Sequence, residues 1–194
     1  MKNFLLYLGT AVVFFSCNQK EKDKKQPDKK TEKGEYTITK DGIGELKIGM
    51  SDAELERLVN DRFKFRMVVD SPGYWQDTIR TKYKDLDVSL YFERQYGNSD
   101  STYMQLSGLE TNSALCKTEY GVGIGDDRSA ILEPYDDRAI YMGPEYEQTN
   151  DTTWAPSKTK YSVNVKDDKW DREIIFHLVN KKVASLGAGI IMGE

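Results

Sequence analysis

An internal repeat constrains the fold of this 194-residue chain more than any other feature. Residues 48–55 and residues 124–131 both begin with Ile-Gly and both end on a branched aliphatic side chain. The two segments start 76 positions apart, a length that suits one small folded unit. The repeat therefore predicts two copies of one unit, which we place in residues 36–112 and 113–194.

Two pairs of aromatic residues agree with this duplication. Phe92 and Phe176 are 84 positions apart, and each lies in a run of alternating residues. Trp75 and Trp154 are 79 positions apart. Loop insertions between two copies of one unit would produce a spacing that drifts in this way.

Each copy is predicted to open with a Gly turn and a short helix. In the first copy, Ser51 and Glu54 have the spacing of a capping box, in which each side chain accepts a hydrogen bond from the backbone of the other residue. This helix should end near Asn60. In the second copy, Asp127 is the expected N-cap, and Pro134 should end the helix early because proline has no backbone N–H.

Antiparallel strands are predicted after each helix. Apolar and charged residues alternate from residue 63, as in a strand with one solvated face that runs through 63–69. One β-hairpin is predicted between 88–92 and 103–109, and a second between 173–179 and 183–191. These patterns predict the α+β class, with two repeated units that each pack a short helix on an antiparallel β-meander.

The N-terminal segment is organised like a secretory signal. Lys2 precedes an uncharged stretch from residue 4 to residue 15. At 1.5 Å per residue this stretch spans roughly 18 Å, too little to cross a hydrocarbon core of about 30 Å. A small residue, Ser16, follows, so we expect residues 1–16 to be removed as a signal peptide.

Residues 14–17, Phe-Phe-Ser-Cys, resemble the lipobox of bacterial lipoproteins. In that motif, cleavage before the cysteine exposes a residue that carries lipid on its sulfur and on its new amino group. The resemblance implies that Cys17 carries acyl chains such as palmitate. It also implies that the protein is anchored in the cell envelope, in the outer membrane of a Gram-negative bacterium. The alternative is that Cys17 is an unmodified thiol after an ordinary signal peptide.

Residues 17–35 are predicted to form a flexible charged tether. After Cys17 this segment has seven lysines, five acidic residues and no large apolar side chain. It cannot bury enough surface to offset the entropy of ordering it, and as a coil it should span about 25 Å. Residues 36–194 then hold 20 basic and 27 acidic residues, a net charge of −7 that favours a partner with a basic surface.

Composition excludes several classes of function. A pI of about 5.3 provides no electrostatic basis for binding nucleic acid. The single histidine and the two cysteines leave little material for a zinc site or for His-based acid–base chemistry. His177 has no Ser or Cys motif beside it in the sequence, so we interpret it as structural. We predict that the chain is not an enzyme and needs no cofactor.

Two Asp-Asp-Arg clusters, at 126–128 and 136–138, are the remaining candidates for metal ligands. Clustered carboxylates suit hard cations, but this spacing is not that of a calcium loop. Helix capping and solvated loops explain the clusters better. We therefore predict no metal site, while the sequence leaves open whether the aspartates bind a cation.

Residues 45–55, Glu-Leu-Lys-Ile-Gly-Met-Ser-Asp-Ala-Glu-Leu, resemble the start of the helix in the small lipoproteins of the SmpA/OmlA group. They also resemble the wider superfamily that is similar to β-lactamase inhibitory protein. Those proteins pair a helical element with an antiparallel sheet, sometimes in tandem copies, and they bind other proteins. The resemblance implies a cell-envelope lipoprotein that binds or scaffolds another envelope protein. The alternative is an inhibitor or immunity protein that acts against a specific enzyme.

Three aromatic residues are the candidate partner-binding residues. Tyr74 and Trp75 follow a Pro-Gly turn, and Trp154 lies in a polar stretch. A large side chain can project from either place and anchor a partner. The alternative is that each tryptophan folds back over its own sheet.

Overall fold

The computed structural model describes residues 34–65, 76–96, 102–167, 169 and 171–191. In these residues the chain forms eleven strands and two helices. In chain order they are β1 (Thr37–Thr39), β2 (Gly42–Ile43), β3 (Leu46–Lys47), α1 (Asp52–Val59), β4 (Gln76–Tyr83), β5 (Leu86–Tyr96), β6 (Thr102–Thr111), β7 (Lys117–Thr118), α2 (Arg128–Leu132), β8 (Ile140–Gln148), β9 (Trp154–Lys166), β10 (Arg172–Val179) and β11 (Lys182–Ile190).

The predicted α+β class is wrong, because the described chain is mostly β. The helices α1 and α2 have only eight and five residues, whereas β9 alone has 13. A capping box starts α1, with the Ser51 N–H donating to Glu54 Oε2 over 2.8 Å. Asn60 ends it in a left-handed conformation at φ 54°, and Pro134 follows closely on α2. Neither helix in the described residues is long and apolar enough to cross a membrane.

A seven-stranded antiparallel sheet is the main element of the fold. Its strand order is β4-β5-β6-β11-β10-β9-β8, so two meanders, β4 to β6 and β8 to β11, lie side by side. They join where β6 pairs with β11, with Leu109 opposite Ala188 and Gly108 opposite Gly189. Both predicted hairpins are present within these meanders, as β5–β6 and β10–β11.

The strand predicted from residue 63 does not form in the part that the structure describes. Residues 61–65 have no regular secondary structure, and 66–69 lie outside the described residues. The side chains of Phe63 and Phe65 instead pack edge-on against Phe92, at centroid distances of 5.5 and 5.1 Å. The apolar residues alternate here because they contact the core, although the segment is not a strand.

The Ile-Gly segments make the same backbone hydrogen bonds in both halves of the chain. The N–H of Gly49 donates to the carbonyl of Leu106 over 2.8 Å, and the N–H of Gly125 donates to that of Val183 over 2.9 Å. Both glycines have a positive φ, 94° and 90°, which L-residues with side chains rarely adopt. These bonds match Leu106 with Val183, and so match the last strands of the two meanders, β6 and β11.

A β-bulge also recurs at matching places. In the first meander Tyr91 is opposite Gly108 and Phe92 is opposite Leu106, which leaves Ser107 unpaired between them. In the second meander the same shift lies between His177 and Leu178. The register therefore matches Phe92 with Leu178, and the predicted match of Phe92 with Phe176 is off by two residues. The unit bounds 36–112 and 113–194 stay a prediction.

A small sheet, β3-β2-β1-β7, covers one face of the large sheet together with α1. Ile38 and Ile43 from this sheet and Leu55 from α1 are fully buried there, in one core with Phe92 and Phe176. The opposite face of the large sheet carries no covering layer of described residues. We call it the open face.

Candidate functional site

Three glycines lie together at the centre of the open face. Gly108 is opposite Tyr91 on one neighbouring strand and opposite Gly189 on the other, and Gly187 is two residues before Gly189 on β11. Side chains alternate between the faces of a strand, so these three positions leave a row of the open face bare. The result is a depression of about 320 Å³, which we call the glycine trough.

Apolar and acidic side chains form the walls of the glycine trough. Tyr91 lines one side and Ile175 the other, and a methyl group on Gly187 would lie 3.6 Å from Ile175 Cβ. Glu93 and Glu110 also line it, and Glu93 is only 6% exposed. A recess with this lining suits a long cationic side chain, whose stem packs on apolar walls while its charge meets a carboxylate.

A row of hydrogen-bonded polar side chains crosses the sheet beside the trough. Tyr91 Oη donates to Glu110 Oε2 over 2.7 Å, and Ser185 also hydrogen-bonds to Glu110. His177 lies opposite Ser185, and its Nδ1 is 2.7 Å from Glu145 Oε1. Burial raises the pKa of Glu110, but the bonds from Ser185 and Tyr91 and the nearby His177 outweigh burial and leave that pKa below its usual value. The trough is therefore flanked by an ionised carboxylate at neutral pH.

The bond between Tyr91 and Glu110 predicts a pH-dependent contribution to stability. A carboxyl group whose pKa is lowered by folding stabilises the fold above its unfolded pKa, and this contribution is lost as the pH falls through its folded pKa. Tyr91→Phe should lower the free energy of unfolding by about 1 kcal/mol at pH 7. The difference from wild type should shrink below about pH 4.

Urea unfolding at several pH values measures this effect. Tyr96→Phe is the control, because Tyr96 is on the same strand and 68% exposed. An equal loss of stability for Tyr91→Phe at pH 7 and at pH 3 would show that ionisation of Glu110 does not strengthen its hydrogen bond with Tyr91.

A serine, a histidine and a carboxylate are the residue types of the catalytic triad in acyl-transfer enzymes, and Ser185, His177 and Glu145 lie near one another here. In such a triad the serine hydroxyl is bonded to the histidine, and backbone N–H groups nearby are free to bind an oxyanion. Here Ser185 is bonded to Glu110, and β6 and β10 pair with β11 on both sides from Leu186 onward. The geometry therefore suits a rigid polar surface better than a nucleophile.

Of the predicted partner-binding residues, the structure places only Trp154. It lies at the start of β9, opposite Gln148 on the edge strand β8, and it is 62% exposed. It projects from the tip of a long hairpin and does not fold back over the sheet. Cys17, Tyr74 and Trp75 lie outside the described residues.

The Asp pair at the start of α2 has a structural use. Asp127 Oδ1 accepts from the N–H groups of Ser129 and Ala130, which is the predicted N-cap, and Asp126 Oδ2 accepts from the N–H of Gly123 over 2.8 Å. Among the described residues, no group of three or more His, Cys, Asp or Glu side chains is placed to hold a metal ion.

Sequence reasoning missed Tyr91, Glu110, Ser185 and the glycine trough. The one available signal was the repeated glycine in Gly187-Ala188-Gly189 within a strand pattern, because glycine inside a strand often marks a close approach of another group. No family model, no curated protein and no solved structure matches this chain.

Proposed function

We propose that this chain is a non-catalytic lipoprotein of the cell envelope, anchored in the outer membrane of a Gram-negative bacterium, that binds another protein through the open face of its sheet. The glycine trough carries the protein-binding part of this proposal, and the resemblance of residues 14–17 to a lipobox supports the anchor. The trough is a recess at the centre of a broad sheet face, with Tyr91 on one side and Ile175 on the other, and the described chain leaves it uncovered. Binding energy at protein interfaces concentrates in such central recesses, where a side chain of the partner is fully desolvated.

The partner should carry a lysine or arginine that enters the trough. Glu93 and Glu110 place carboxyl groups at its sides, and residues 36–194 have a net charge of −7. Complementary charge speeds association and fixes orientation, and a buried ion pair with good hydrogen bonds adds specificity. At the edge of the sheet, the exposed ring of Trp154 offers a second anchor on the same molecule.

A site-specific cross-link tests the proposal. A photoactivatable residue replaces Thr78, which is exposed and lines the trough, in cells that express the full chain. We expect one cross-linked protein, and the same probe at the exposed Lys47 on the small sheet should not produce it. Identical products from both positions, or no specific product, would contradict the assigned surface. A partner enzyme that loses activity when bound would favour the inhibitor alternative.

The lipid anchor has a separate test. Cys17→Ala should move the protein from the membrane fraction to the soluble fraction, because the acyl chains provide most of the protein's affinity for the membrane. Mass spectrometry of the wild-type protein should find acyl chains on an N-terminal Cys17.

Cys116→Ala is the matched control for the anchor. Cys116 is fully buried, and burial raises the pKa of its thiol to about 12, so this cysteine is an unreactive part of the core. The control should stay in the membrane fraction. If Cys17→Ala stays there as well after residues 1–16 have been removed, Cys17 is not the anchor.

A further inference from the structure

A second concave surface lies on the other face of the sheet, at the end formed by β8, β9 and β10. Apolar side chains of Met142, Pro144, Tyr161 and Leu178 line this groove, which has a volume of about 600 Å³. We call it the β8–β9 groove. Met142 is opposite the fully buried Val163, so the groove continues the face that elsewhere forms the core. Met142 and Tyr161 are nevertheless 42% and 36% exposed.

The first half of the sheet shows how apolar side chains on this face can be covered. Leu178 in the groove matches Phe92, whose ring is covered by Phe63 and Phe65 from the segment that follows α1. These two rings also contact each other, at a centroid distance of 6.2 Å.

In the second half Leu178 is itself only 2% exposed, and the exposed apolar surface lies beside it, at Met142 and Tyr161. The aromatic residue that follows α2 is Tyr135, and it packs against Tyr120 and Phe176 at centroid distances of 4.8 and 6.1 Å. Its ring therefore packs within the core and does not reach Met142 and Tyr161, whose side chains stay 42% and 36% exposed. The groove therefore lies beside the position that matches Phe92, the residue on which the first half of the molecule packs Phe63 and Phe65.

The charges around the groove restrict its occupant. Arg128, Lys158 and Lys181 lie among its lining residues, and none of the described lining residues is acidic. This cationic rim is unusual on a protein whose folded part has a net charge of −7. It also disfavours the chain's own residues 18–35, because seven of them are lysines.

We propose that the β8–β9 groove binds an extended acidic segment of another protein that carries two aromatic side chains at alternate positions. The aromatic rings pack on the exposed surfaces of Met142, Pro144 and Tyr161, in a pair like that of Phe63 and Phe65 on Phe92, and the acidic groups pair with the rim. Burial of apolar surface and complementary charge then both contribute to binding. This surface is separate from the glycine trough, and its charge preference is the opposite.

Synthetic peptides test the groove directly. The probe is Asp-Glu-Phe-Glu-Phe-Glu, designed from the Phe-Lys-Phe at residues 63–65. We expect it to shift the NMR signals of Met142, Tyr161 and Leu178. A Lys-rich peptide with the same two phenylalanines should bind at least tenfold more weakly, and an acidic peptide with two alanines instead should cause no shifts. Raising the salt concentration should weaken binding of the acidic probe, because the rim charges are exposed to solvent.

Paired variants separate the groove from the rest of the surface. Met142→Glu should weaken binding of the acidic probe about tenfold or more, the equivalent of losing burial of one apolar side chain. Tyr141→Glu is the matched control, because Tyr141 is the neighbouring residue on the other face of β8 and is 51% exposed. Lys158→Glu should also weaken binding, whereas Lys47→Glu on the small sheet should not.

Several results would overturn the proposal. They are preferential binding of the Lys-rich peptide, no shifts at the groove with millimolar acidic probe, or displacement of the probe by anionic phospholipid vesicles. Dimerisation that Met142→Glu abolishes would show instead that a second copy of the chain covers the groove. Gly189→Leu should leave binding of the acidic probe unchanged, so failure of this proposal and failure of the open-face proposal are distinguishable.

Discussion

Phe92→Ala should lower the free energy of unfolding by about 3–5 kcal/mol, the range expected when a large aromatic ring is removed from a packed core. Phe92 is fully buried in the middle of β5, and its ring is the common contact of Phe63 and Phe65. Its removal therefore leaves a cavity and also takes the packing surface away from a segment that has no strand hydrogen bonds of its own. The loss is a large fraction of the 5–15 kcal/mol that stabilises a typical domain.

Chemical unfolding of Phe92→Ala, Phe92→Leu, Tyr96→Ala and the wild type measures this loss. Tyr96→Ala is the control on the same strand, and it should change stability by no more than about 0.5 kcal/mol, because Tyr96 is 68% exposed. Phe92→Leu should cost less than about 1.5 kcal/mol, since leucine occupies the matching position 178 in the other half of the sheet. Similar losses for Phe92→Ala and Tyr96→Ala would mean that the Phe92 cluster does not hold the fold together.

Gly189→Leu should abolish binding of the protein partner while the fold stays intact. A leucine side chain at this position would fill the glycine trough and exclude the partner's side chain from it. Loss of a central contact costs about 2–4 kcal/mol or more, which corresponds to a loss of affinity of about thirtyfold to a thousandfold.

The space around Gly189 makes this substitution suitable. A methyl group there would meet no atom closer than the Ser107 carbonyl oxygen at 3.4 Å, an ordinary contact distance. At Gly187 the nearest atom would be the Leu109 carbonyl oxygen at 3.1 Å, so a substitution at Gly187 would strain the sheet. Gly189→Leu should therefore keep near-wild-type stability in thermal unfolding.

Gly143→Leu is the control for the trough. Gly143 lies on the open face in β8, opposite Ser162, and a methyl group on it would meet no atom within 4 Å. Both variants add the same side chain to the same face, but only one of them fills the trough. Titration calorimetry with the cross-linked partner, once purified, should show full affinity for Gly143→Leu. Equal affinity for both variants would show that the partner binds elsewhere.

Local signals in the sequence predicted the local features of this fold correctly. The capping box at Ser51 and Glu54 and the N-cap at Asp127 depend only on residues three positions apart, and the structure contains each of them. The hairpins β5–β6 and β10–β11 also formed, because their alternating side chains face a core on one side.

The fold class was wrong because two long strands carry weak signals. β8 contains Gly143 and Pro144, which are rare inside a sheet, and the sequence of β9 is mostly polar. The pairing explains why β8 tolerates them: it is the last strand of the sheet, where one edge of its backbone needs no partner. Because β8 and β9 were not predicted, the two short helices formed too large a share of the predicted fold, and the class was given as α+β.

The trough could not be predicted because it depends on register between distant segments. Glu110 and Ser185 belong to different meanders, and only the pairing of β6 with β11 brings them together. His177 was interpreted without its neighbour for the same reason, since Ser185 is adjacent to it across strands and not along the chain. Contacts between strands can be predicted only when the pairing of the strands is known, and the periodicity of a single sequence does not give that pairing.

The join between β6 and β11 has the geometry of a subunit interface inside one polypeptide. If two identical single units paired through this strand, the twofold axis would set each residue at its centre against its own copy. In this chain the centre is occupied by Glu110 and its counterpart Gly187, which are directly opposite each other. Two glutamates there would repel each other, and two glycines would remove the carboxylate of Glu110 from the recess. Because the two halves belong to one polypeptide, these two positions can differ, and the carboxylate of Glu110 lies opposite a glycine that leaves space for it.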